Sequence, residues 1–521
     1  MYHPPRTATQ RAWLIDEVVR DIMAHLPPAG RPKTLANCAR VSRAVSEPAL
    51  DVLWSRLTEL SPLWNLLPDI LDNFDSDSPV DGRTVEMLAV DDAQWSRFTR
   101  YARRVRVLHY PCRAANSEWR HRRTLASLAR HATRFGVPLL PRLEELSWLQ
   151  FSRENTDCLR FLSPSLRRIT IYCNDDSSHG TGDAPEPSEP FIRRGGVLLS
   201  LLNERSPGVE ELSLEGVELP SPLAPMPAFA PLRSLHLGSM AAPVSAIIAY
   251  CSAMPNLSSL SVDLSRSDTA FGTYLGRHNT PTYGVPPLQA LQSLRIVGAP
   301  AAIEELLEGI RSPSLRSAKL CVASPEHDRE GGARCVSLLT TRFANSLESV
   351  RVEYKRSSAG RAQTNAPRPF SRFIRPLLAA SHLRHCTVVV EDVAPTSMTD
   401  EDVAAMAEAW PALTALEVSL RSPVELPAIT ALAAFSRCCP DLASLRLPIS
   451  QDVSALDSQL SDPLDEHQGG HGLRSLWLSG VYFSQQDSRG LMRYLTDLFP
   501  EVNLRPMMSA GVLRAGGAYS I

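Results

Sequence analysis

The sequence contains no long hydrophobic run: among its 521 residues, no stretch of about 18 apolar residues could cross a bilayer. Residues 1–12 are polar and carry arginine, and they lack the apolar segment and the small-residue cleavage site of a secretory signal. These absences argue against a membrane-spanning or secreted protein. We therefore expect a cytoplasmic and/or nuclear protein with no membrane partner.

An excess of either charge is also lacking, since 54 Lys and Arg residues stand against 56 Asp and Glu residues and give a net charge of −2. Proteins that bind nucleic acid usually carry a clear positive excess, so we expect no nucleic-acid partner. The ten cysteines include no C-x-x-C pair, and most stand beside apolar residues. We expect them to be small buried thiols rather than disulfides or metal ligands.

The motifs of common enzymes are missing as well. The sequence has no glycine-rich phosphate loop, no H-E-x-x-H zinc motif and no G-x-S-x-G nucleophile elbow. His467 and His471 stand four residues apart near acidic residues, but Gly469 and Gly470 oppose the helix that would bring both imidazoles to one metal ion. We expect these histidines to be solvated. The sequence thus predicts no enzyme, no catalytic residue, no cofactor and no metal.

What the sequence does have is a repeated pattern, Leu-x-x-Leu-x-Leu with conservative replacements, at a mean spacing of about 30 residues. Its fourth and sixth positions lie two residues apart and point to one face of a short strand, while the third and fifth point to the other. Stacked copies form a parallel sheet with one covered face, so we expect fourth-position residues such as Leu416, Leu445 and Leu476 to be buried. The copies start at Leu143, Leu166, Val209, Leu232, Leu257, Leu291, Leu315, Leu347, Leu383, Leu413, Leu442 and Leu473, and a further candidate starts at Val105.

The segments between the motifs are predicted to be helices, for example residues 301–309, 401–410, 428–439 and 489–499. Proline supports this alternation, since it forms about 8% of the chain against a usual ~5%. Many prolines stand two residues before a motif, where proline ends a helix and favours extended backbone. The alternative, an array of helical pairs of the HEAT or armadillo kind, does not explain the period of two within the motifs.

Residues 13–54 show a different, helical pattern. Four apolar residues spaced four apart predict a helix with one apolar stripe: Leu14, Val18, Ile22 and Leu26. A breaker follows at residues 27–33, a second helical pattern includes Leu35, and Pro48 is predicted to open a third helix. Three short helices make a core too small to be stable alone, so an apolar face left over would need a partner.

The residues of both regions resemble known families. The repeats resemble leucine-rich repeats of the long strand–helix form, although the Asn or Cys that usually follows the last strand leucine is matched only by Asn174. The N-terminal segment resembles an F-box but departs from that family at Ile15, where an F-box usually has proline. The F-box resemblance is carried by Leu14, Glu17, Val18, Ile22 and Leu26, then by residues 34–36 and 39–44, and finally by residues 47–54.

The resemblance implies a function. An F-box docks onto the Skp-type adaptor, and through it onto a cullin, in an SCF-type (Skp–cullin–F-box) ubiquitin ligase, and the repeats hold a substrate protein. The adaptor-binding residues that the resemblance implies are Leu14, Glu17, Val18, Ile22, Leu35, Val41 and Trp54. The alternative is a leucine-rich-repeat scaffold for protein interactions that has no role in ubiquitination.

The predicted architecture is therefore α/β: a short N-terminal three-helix F-box followed by an irregular leucine-rich-repeat solenoid, with parallel strands on its concave face and helices outside. The predicted parts are a flexible N-terminus at 1–12, an F-box-like module at 13–60, a helical linker at 61–100, a solenoid of about 12–13 repeats at 101–505 and a C-terminal tail at 506–521. Polar inserts at 174–190, 265–287, 355–369 and 452–472 make the repeats irregular and are predicted to be mobile loops.

A candidate substrate-binding surface follows from the register of the repeats. The fifth motif position faces the open side of the sheet, and three consecutive repeats carry Arg295, Lys319 and Arg351 there. His385 occupies the third position of the next repeat, and Trp477 the fifth position of the last. Adjacent strands lie about 4.8 Å apart, so these cations would cluster and suit an acidic or phosphorylated segment of a partner protein. Alternatively, such charges only solvate the sheet.

Overall fold

In the computed structural model of the protein, the described residues are 15–27, 29–67, 91–110, 115–150, 157–173, 192–217, 229–239, 242–265, 288–324, 330–356, 367–391, 395–450, 471–479 and 487–502. The chain divides into two compact units, Met1–Gly238 and Ser239–Ile521. In each unit, short parallel strands alternate with helices, which confirms the predicted α/β class and leucine-rich-repeat-like pattern. Within these described ranges, no helix combines the length and the apolar character needed to span a membrane.

Three helices open the first unit: α1 (Asp16–Ala24), α2 (Arg31–Cys38) and α3 (Arg43–Ser55). We refer to α1–α3 as the helical module. Both α1 and α2 pack against α3. The fully buried residues of their shared core are Val19, Met23, Leu35 and Ala49. Helices at these positions agree with the sequence, but the buried side of α1 is not the stripe that the fourfold spacing predicted.

The start of the third helix differs from its prediction. Pro48 does not open α3, because the helix already begins at Arg43 and contains Pro48. Ser42 has extended backbone angles, and its carbonyl accepts a hydrogen bond from the Ser46 amide at 2.9 Å. The helix therefore starts at the first residue after an extended Ser42, and the missing N–H of Pro48 removes one bond inside it.

A sheet begins directly after the helical module. The short strand β1 (Arg56–Leu57) follows α3 without a loop and pairs in parallel with β2 (Val107–Tyr110). The other helices of this unit are α4 (Ser61–Trp64), α5 (Asp92–Ala102), α6 (Ala115–Phe135) and α7 (Ile192–Arg205). Its remaining strands, β3 (Glu145–Gln150), β4 (Arg168–Cys173), β5 (Glu211–Glu215) and β6 (Ser234–Gly238), extend the parallel sheet in sequence order. The predicted linker at 61–100 thus contains α4 and most of α5, while its residues 68–90 lie outside the described residues.

The second unit repeats the same alternation of parallel strands and helices. Its main parallel sheet contains β7 (Ser259–Asp263), β8 (Ser293–Gly298), β9 (Ser317–Ser324), β10 (Ser349–Arg356), β12 (His385–Val390), β14 (Ala415–Leu420), β16 (Ser444–Pro448) and β17 (Ser475–Ser479). The helices are α8 (Val244–Ser252), α9 (Pro300–Gly309), α10 (Gly331–Phe343), α11 (Ser371–Ile374), α12 (Asp400–Ala409), α13 (Ala433–Cys438) and α14 (Asp487–Leu498). The helices predicted at 301–309, 401–410 and 489–499 are present, whereas the segment predicted at 428–439 begins as a 3-10 helix (Ile429–Leu432) and continues as α13.

Every strand motif found in the sequence forms a strand, and burial confirms the predicted register. Leu416, Leu445 and Leu476, at the fourth position, are 2%, 0% and 1% exposed. The covering layer is helical, since α9 packs on β8 and β9 and neighbouring helices such as α9 and α10 pack on each other. The third and fifth positions remain half-buried or exposed on the opposite, open face of the sheet.

Backbone hydrogen bonds join neighbouring repeats, although most repeats lack the Asn or Cys that usually follows the last strand leucine. At the start of most strands of the main sheets, one carbonyl accepts hydrogen bonds from two amides of the next repeat. The Gln292 carbonyl, for example, accepts from Arg316 at 2.9 Å and Ser317 at 3.0 Å. Serine hydroxyls just before some motifs add to this, as Ser312 donates to the Leu291 carbonyl at 2.6 Å. These bonds fix the register of neighbouring repeats without an Asn or Cys side chain at the turn.

A second, small parallel sheet was not predicted. It contains β11 (Arg368–Pro369), β13 (Thr396–Ser397) and β15 (Pro423–Glu425), each shortly after a main strand. Two of its strands use insert residues or proline, which are weak strand signals in a sequence. The insert predicted at 355–369 therefore includes the end of β10 and all of β11, whereas most of the other three inserts, the N-terminus and the C-terminal tail lie outside the described residues.

Candidate protein-binding surfaces

Helix α1 has two adjacent apolar faces, and only one is buried. Val19 and Met23 face α3, and Leu26 packs against the same core. The neighbouring face carries Ile15, Val18 and Ile22, which are 48%, 37% and 45% exposed. These three residues are three and four positions apart, so they form one stripe along the helix. We refer to Ile15, Val18 and Ile22 as the exposed stripe.

The residues predicted to bind an adaptor fall into different environments. Glu17, Val18 and Ile22 are exposed on α1, and Val41 is exposed in the turn between α2 and α3. Leu35, by contrast, is buried in the core of the helical module and supports it from inside. Leu14 lies outside the described residues.

Trp54, the last residue of that set, is half-buried near the end of α3. Its ring lies against Tyr101 of α5, with ring centroids 4.7 Å apart and planes inclined at 45°. This contact ties α3 to the helix before β2. Trp54 therefore has a packing partner within the chain, in contrast to the exposed stripe.

A buried arginine reinforces the attachment of the helical module to the first repeat. Arg104, just before β2, has a side chain that is 3% exposed, and it forms ion pairs with Glu47 and Asp51 of α3. It also donates to the Glu47 carbonyl at 3.3 Å. The hydrogen bond from Arg104 holds the pKa of the Glu47 carboxyl below its usual value. The module is thus fixed to β1 and β2 by covalent continuity, backbone pairing and a charged contact.

The three cations predicted to cluster on the second unit do stand on adjacent paired strands. Arg295 of β8 is opposite Lys319 of β9, and Lys319 is opposite Arg351 of β10. We refer to these three residues as the cationic row. His385 starts β12 opposite Ser349, and its Nε2 lies 3.4 Å from the Thr414 hydroxyl.

Further along the open face, beyond the cationic row, the fifth motif positions carry residues of both charges. Arg351 pairs with Thr387 and Thr387 with Glu417, so Glu417 stands two strands from the cationic row. Glu417 forms ion pairs with Arg446 at 3.1 Å and with Arg351 at 4.0 Å. Trp477 ends the row opposite Arg446 and is exposed, as expected for an open-face position. The fifth positions at this end of the sheet therefore carry an acidic residue, Glu417, then a cation, Arg446, and finally Trp477.

An acidic residue that the sequence reading missed organises the cationic row. Glu353, two residues after Arg351 on the same face, is only 7% exposed. Its Oε1 accepts from Lys319 Nζ at 2.8 Å and from Arg351 Nε at 2.7 Å, and its Oε2 lies 3.5 Å from Lys355 Nζ. Burial alone would raise the pKa of Glu353, but the hydrogen bonds and charges of Lys319 and Arg351 outweigh it and lower the pKa to about 2.

Arg295 differs from its two neighbours because no described residue forms an ion pair with it, and it is exposed. Glu353 could have been found from the sequence as an acidic residue at the seventh position of the same motif that carries Arg351. Its burial could not, because a charged side chain at an open-face position is normally solvated. The cationic row is thus a set of partly fixed charges, not three independent surface side chains.

Possible metal ligands are scattered over the described part of the chain. No group of three or more His, Cys, Asp or Glu side chains among the described residues is placed to hold a metal ion. His471, predicted to be solvated, is in fact buried, and its imidazole bridges two backbone groups of the repeat. Its Nε2 donates to the Cys439 carbonyl at 2.8 Å, and its Nδ1 accepts from the Leu473 amide at 3.2 Å. His467 lies outside the described residues.

Comparisons with known proteins give a weak structural likeness. No protein-family model matches this sequence, and no curated protein matches it. A crystal structure of a Bacteroides fragilis protein is similar over 66% of this chain and 85% of that chain, with 15% identity and a TM-score of 0.30. The Rad7–Elc1 complex of yeast contains a chain that is similar over 80% of this chain and 91% of its own length, with 11% identity and a TM-score of 0.31. Both TM-scores are below 0.5, so we base no function on them.

Proposed function

We propose that the protein is a non-enzymatic adaptor of an SCF-type ubiquitin ligase. In this proposal the helical module docks a Skp-type adaptor, and through it a cullin, while the repeats hold a substrate protein. The observation that carries the proposal is the exposed stripe of α1. A helix that buries one apolar face in its own core and presents a second to solvent is suited to a partner that supplies a matching hydrophobic groove.

The energetics favour such a partner. Covering a large aliphatic side chain that is otherwise exposed contributes roughly 1–2 kcal/mol, so the three residues of the exposed stripe supply useful binding energy. Their exposed fractions leave close to half of each side chain available. Val41, 76% exposed after α2, adds a further apolar contact of the module. Interfaces draw their affinity from a few such residues surrounded by polar ones.

The attachment of the module supports the same role. An adaptor that joins a ligase to a substrate must hold the substrate in a defined position as well as bind it. The continuity of α3 with β1 and the ion pairs of Arg104 with Glu47 and Asp51 hold the docking helix in a defined relation to the first strands. A module on a flexible tether would not need a buried arginine at this point, because burying a charge is unfavourable unless it is paired.

Co-expression tests the docking step. The full chain, produced together with a Skp-type adaptor and a cullin, should retain both through affinity purification and size-exclusion chromatography. Absence of the adaptor from the purified complex would contradict the proposal. The cullin should be lost when the adaptor is left out, since it is expected to bind only through the adaptor.

The second candidate is a protein-interaction scaffold without a role in ubiquitination, which the open faces of the repeats favour on their own. A reconstituted ligase distinguishes the two. With the adaptor, cullin, RING subunit and ubiquitin-conjugating enzyme present, a ligase receptor should promote transfer of ubiquitin to itself or to a bound protein. Adaptor binding without any such transfer would favour the scaffold.

A further inference from the structure

A lane of small hydroxyl side chains runs beside the cationic row. The third motif position lies on the open face, and its residues are directly paired from strand to strand. In the second unit they are Ser259, Ser293, Ser317, Ser349, His385, Ala415, Ser444 and Ser475. Short side chains leave room above the sheet, and serine offers both a donor and an acceptor there. We refer to these residues as the serine lane.

The cationic row forms one side of this lane and carries a positive surplus. Three cations contact the carboxylate of Glu353: Lys319, Arg351 and Lys355. Arg351 also lies 4.0 Å from Glu417, which in turn pairs with Arg446. Arg295 adds another cation, which forms no ion pair with a described residue. Glu353 is nearly buried and has a pKa of about 2, so it remains charged at neutral pH. It therefore fixes Lys319 and Arg351, the two cations that it contacts most closely. Fixed donors lose less conformational freedom when a ligand binds.

The first unit provides an internal contrast. At its fifth motif positions it carries Ser147, Thr170, Ser213 and His236, with no Lys or Arg among them. At the third positions of that unit, Glu145 and Arg168 already form an ion pair of 2.7 Å with each other. Clustered, incompletely neutralised cations are thus a property of the second unit and do not follow from the repeat pattern itself.

We propose that the serine lane and the cationic row bind an extended, acidic segment of a partner protein, rich in Asp and Glu. The distribution of charge favours separate carboxylates over one phosphate. A phosphate dianion needs several cations that converge on one point, but Lys319 and Arg351 already converge on Glu353, and Arg295 stands one strand further away. Single negative charges spaced along a chain can meet these cations one at a time, and serine hydroxyls can bond the backbone of the segment.

The site rests on the proposed function only in that its occupant would be the substrate protein. Binding of an acidic peptide does not require the helical module. The test therefore measures, by fluorescence anisotropy, the binding of three fluorescein-labelled peptides to the full chain. The first peptide consists of Glu and Gly, and the second is its counterpart of Gln and Gly. The third consists of phosphoserine and Gly and has the same net charge as the first.

Arg295→Glu is the informative variant, because this exposed side chain has no described partner whose loss would disturb the fold. Arg375→Glu is the matched control, since Arg375 is also exposed but follows α11 and does not belong to a strand. We expect the Glu peptide to bind in preference to the Gln peptide, with affinity lowered about fivefold or more by Arg295→Glu and unchanged by Arg375→Glu. Raised salt should weaken binding.

Three results would overturn the proposal: no binding of the Glu peptide, equal losses in both variants, or binding of the phosphoserine peptide alone. Equal losses would mean that only net charge matters, and selective phosphoserine binding would indicate a phosphate receptor. A Val18→Asp plus Ile22→Asp variant should bind the Glu peptide as the wild type does. Failure of adaptor docking and failure of this site can therefore be told apart.

Discussion

The helical module and the repeats of the second unit differ in how completely they bury their apolar residues. In every strand of the main sheet of the second unit, the fourth and sixth motif residues are buried, as Leu416 and Val418 illustrate. In α1, Val19 and Met23 are buried, but Val18 and Ile22 beside them are exposed. The repeats bury these apolar residues within the chain, whereas the helical module leaves some of its apolar residues exposed.

This difference separates two kinds of binding surface. Where the apolar residues are already covered, the face left for a partner is polar, and recognition there depends on charge and hydrogen bonds, as in the cationic row. Where apolar residues remain uncovered, recognition depends on the area that a partner buries. We therefore expect substitutions at the buried positions of the repeats to change stability, and substitutions in the exposed stripe to change binding.

The largest effect is expected in the core of the repeats. Leu416→Ala should lower the free energy of unfolding by about 2–5 kcal/mol, because it removes a buried side chain and leaves a cavity that the sheet cannot close. Val424→Ala, at an exposed position of β15, is the control and should change it by less than about 0.5 kcal/mol. Urea unfolding followed by circular dichroism measures both. Similar effects for the two variants would mean that the burial pattern does not govern the stability of the repeats.

A charged position of the open face should have the next largest effect, and it should depend on pH. Glu353 has a pKa of about 2, below the usual 4.5. Its ionised form therefore stabilises the fold above about pH 4.5, and this contribution is lost as the pH falls toward 2. Glu353→Gln should lower the stability at neutral pH by up to roughly 3 kcal/mol.

The pH profile checks the sign of this prediction. The difference between the wild type and Glu353→Gln, measured by thermal unfolding, should shrink between about pH 4.5 and pH 2. Glu425→Gln, in the exposed strand β15, serves as the control and should follow the wild type throughout. A difference between wild type and Glu353→Gln that stays constant down to pH 2 would show that the Lys319 and Arg351 contacts do not lower the pKa of this carboxyl.

The attachment of the helical module should give a smaller effect. Arg104→Ala removes the buried guanidinium, but Glu47 and Asp51 can regain water, so we expect a loss of about 1–2 kcal/mol. Hydrogen exchange should increase in α3 and β1 and remain unchanged in the strands of the second unit. Arg100→Ala is the control, because this exposed arginine pairs with the same Glu47 at 3.2 Å and should matter little. Equal exchange in both variants would contradict an anchoring role for Arg104.

The sequence predicted the repeats well because their signal is periodic and repeated many times. Leu416, Leu445 and Leu476 are buried as expected because a single register satisfies all the motifs together. Elements without such repetition were missed: β15 has three exposed residues and begins with proline, and β1 has only two residues. Local pattern cannot specify elements that depend on neighbouring strands.

The candidate sites were harder to predict for a related reason. On α1, the spacing of Val18 and Ile22 is equally suited to the core and to a partner, and only the packing on α3 shows that Val19 and Met23 are buried instead. Glu353 escaped notice because its environment is created by Lys319, which lies 34 positions earlier in the chain and is paired only through the sheet. Contacts between residues that are far apart in the sequence determine the environment of both candidate sites.

The most direct test of the account measures stability and adaptor binding on the same variants. Val18→Asp plus Ile22→Asp alters the exposed stripe, and Ala24→Asp, at an exposed position of the same helix outside the stripe, is the matched control. We predict that both variants melt at the wild-type temperature, that Ala24→Asp still co-purifies with the Skp-type adaptor, and that the double variant does not. A double variant that retains the adaptor while remaining folded, or one that unfolds because the stripe belongs to the core, would contradict the account.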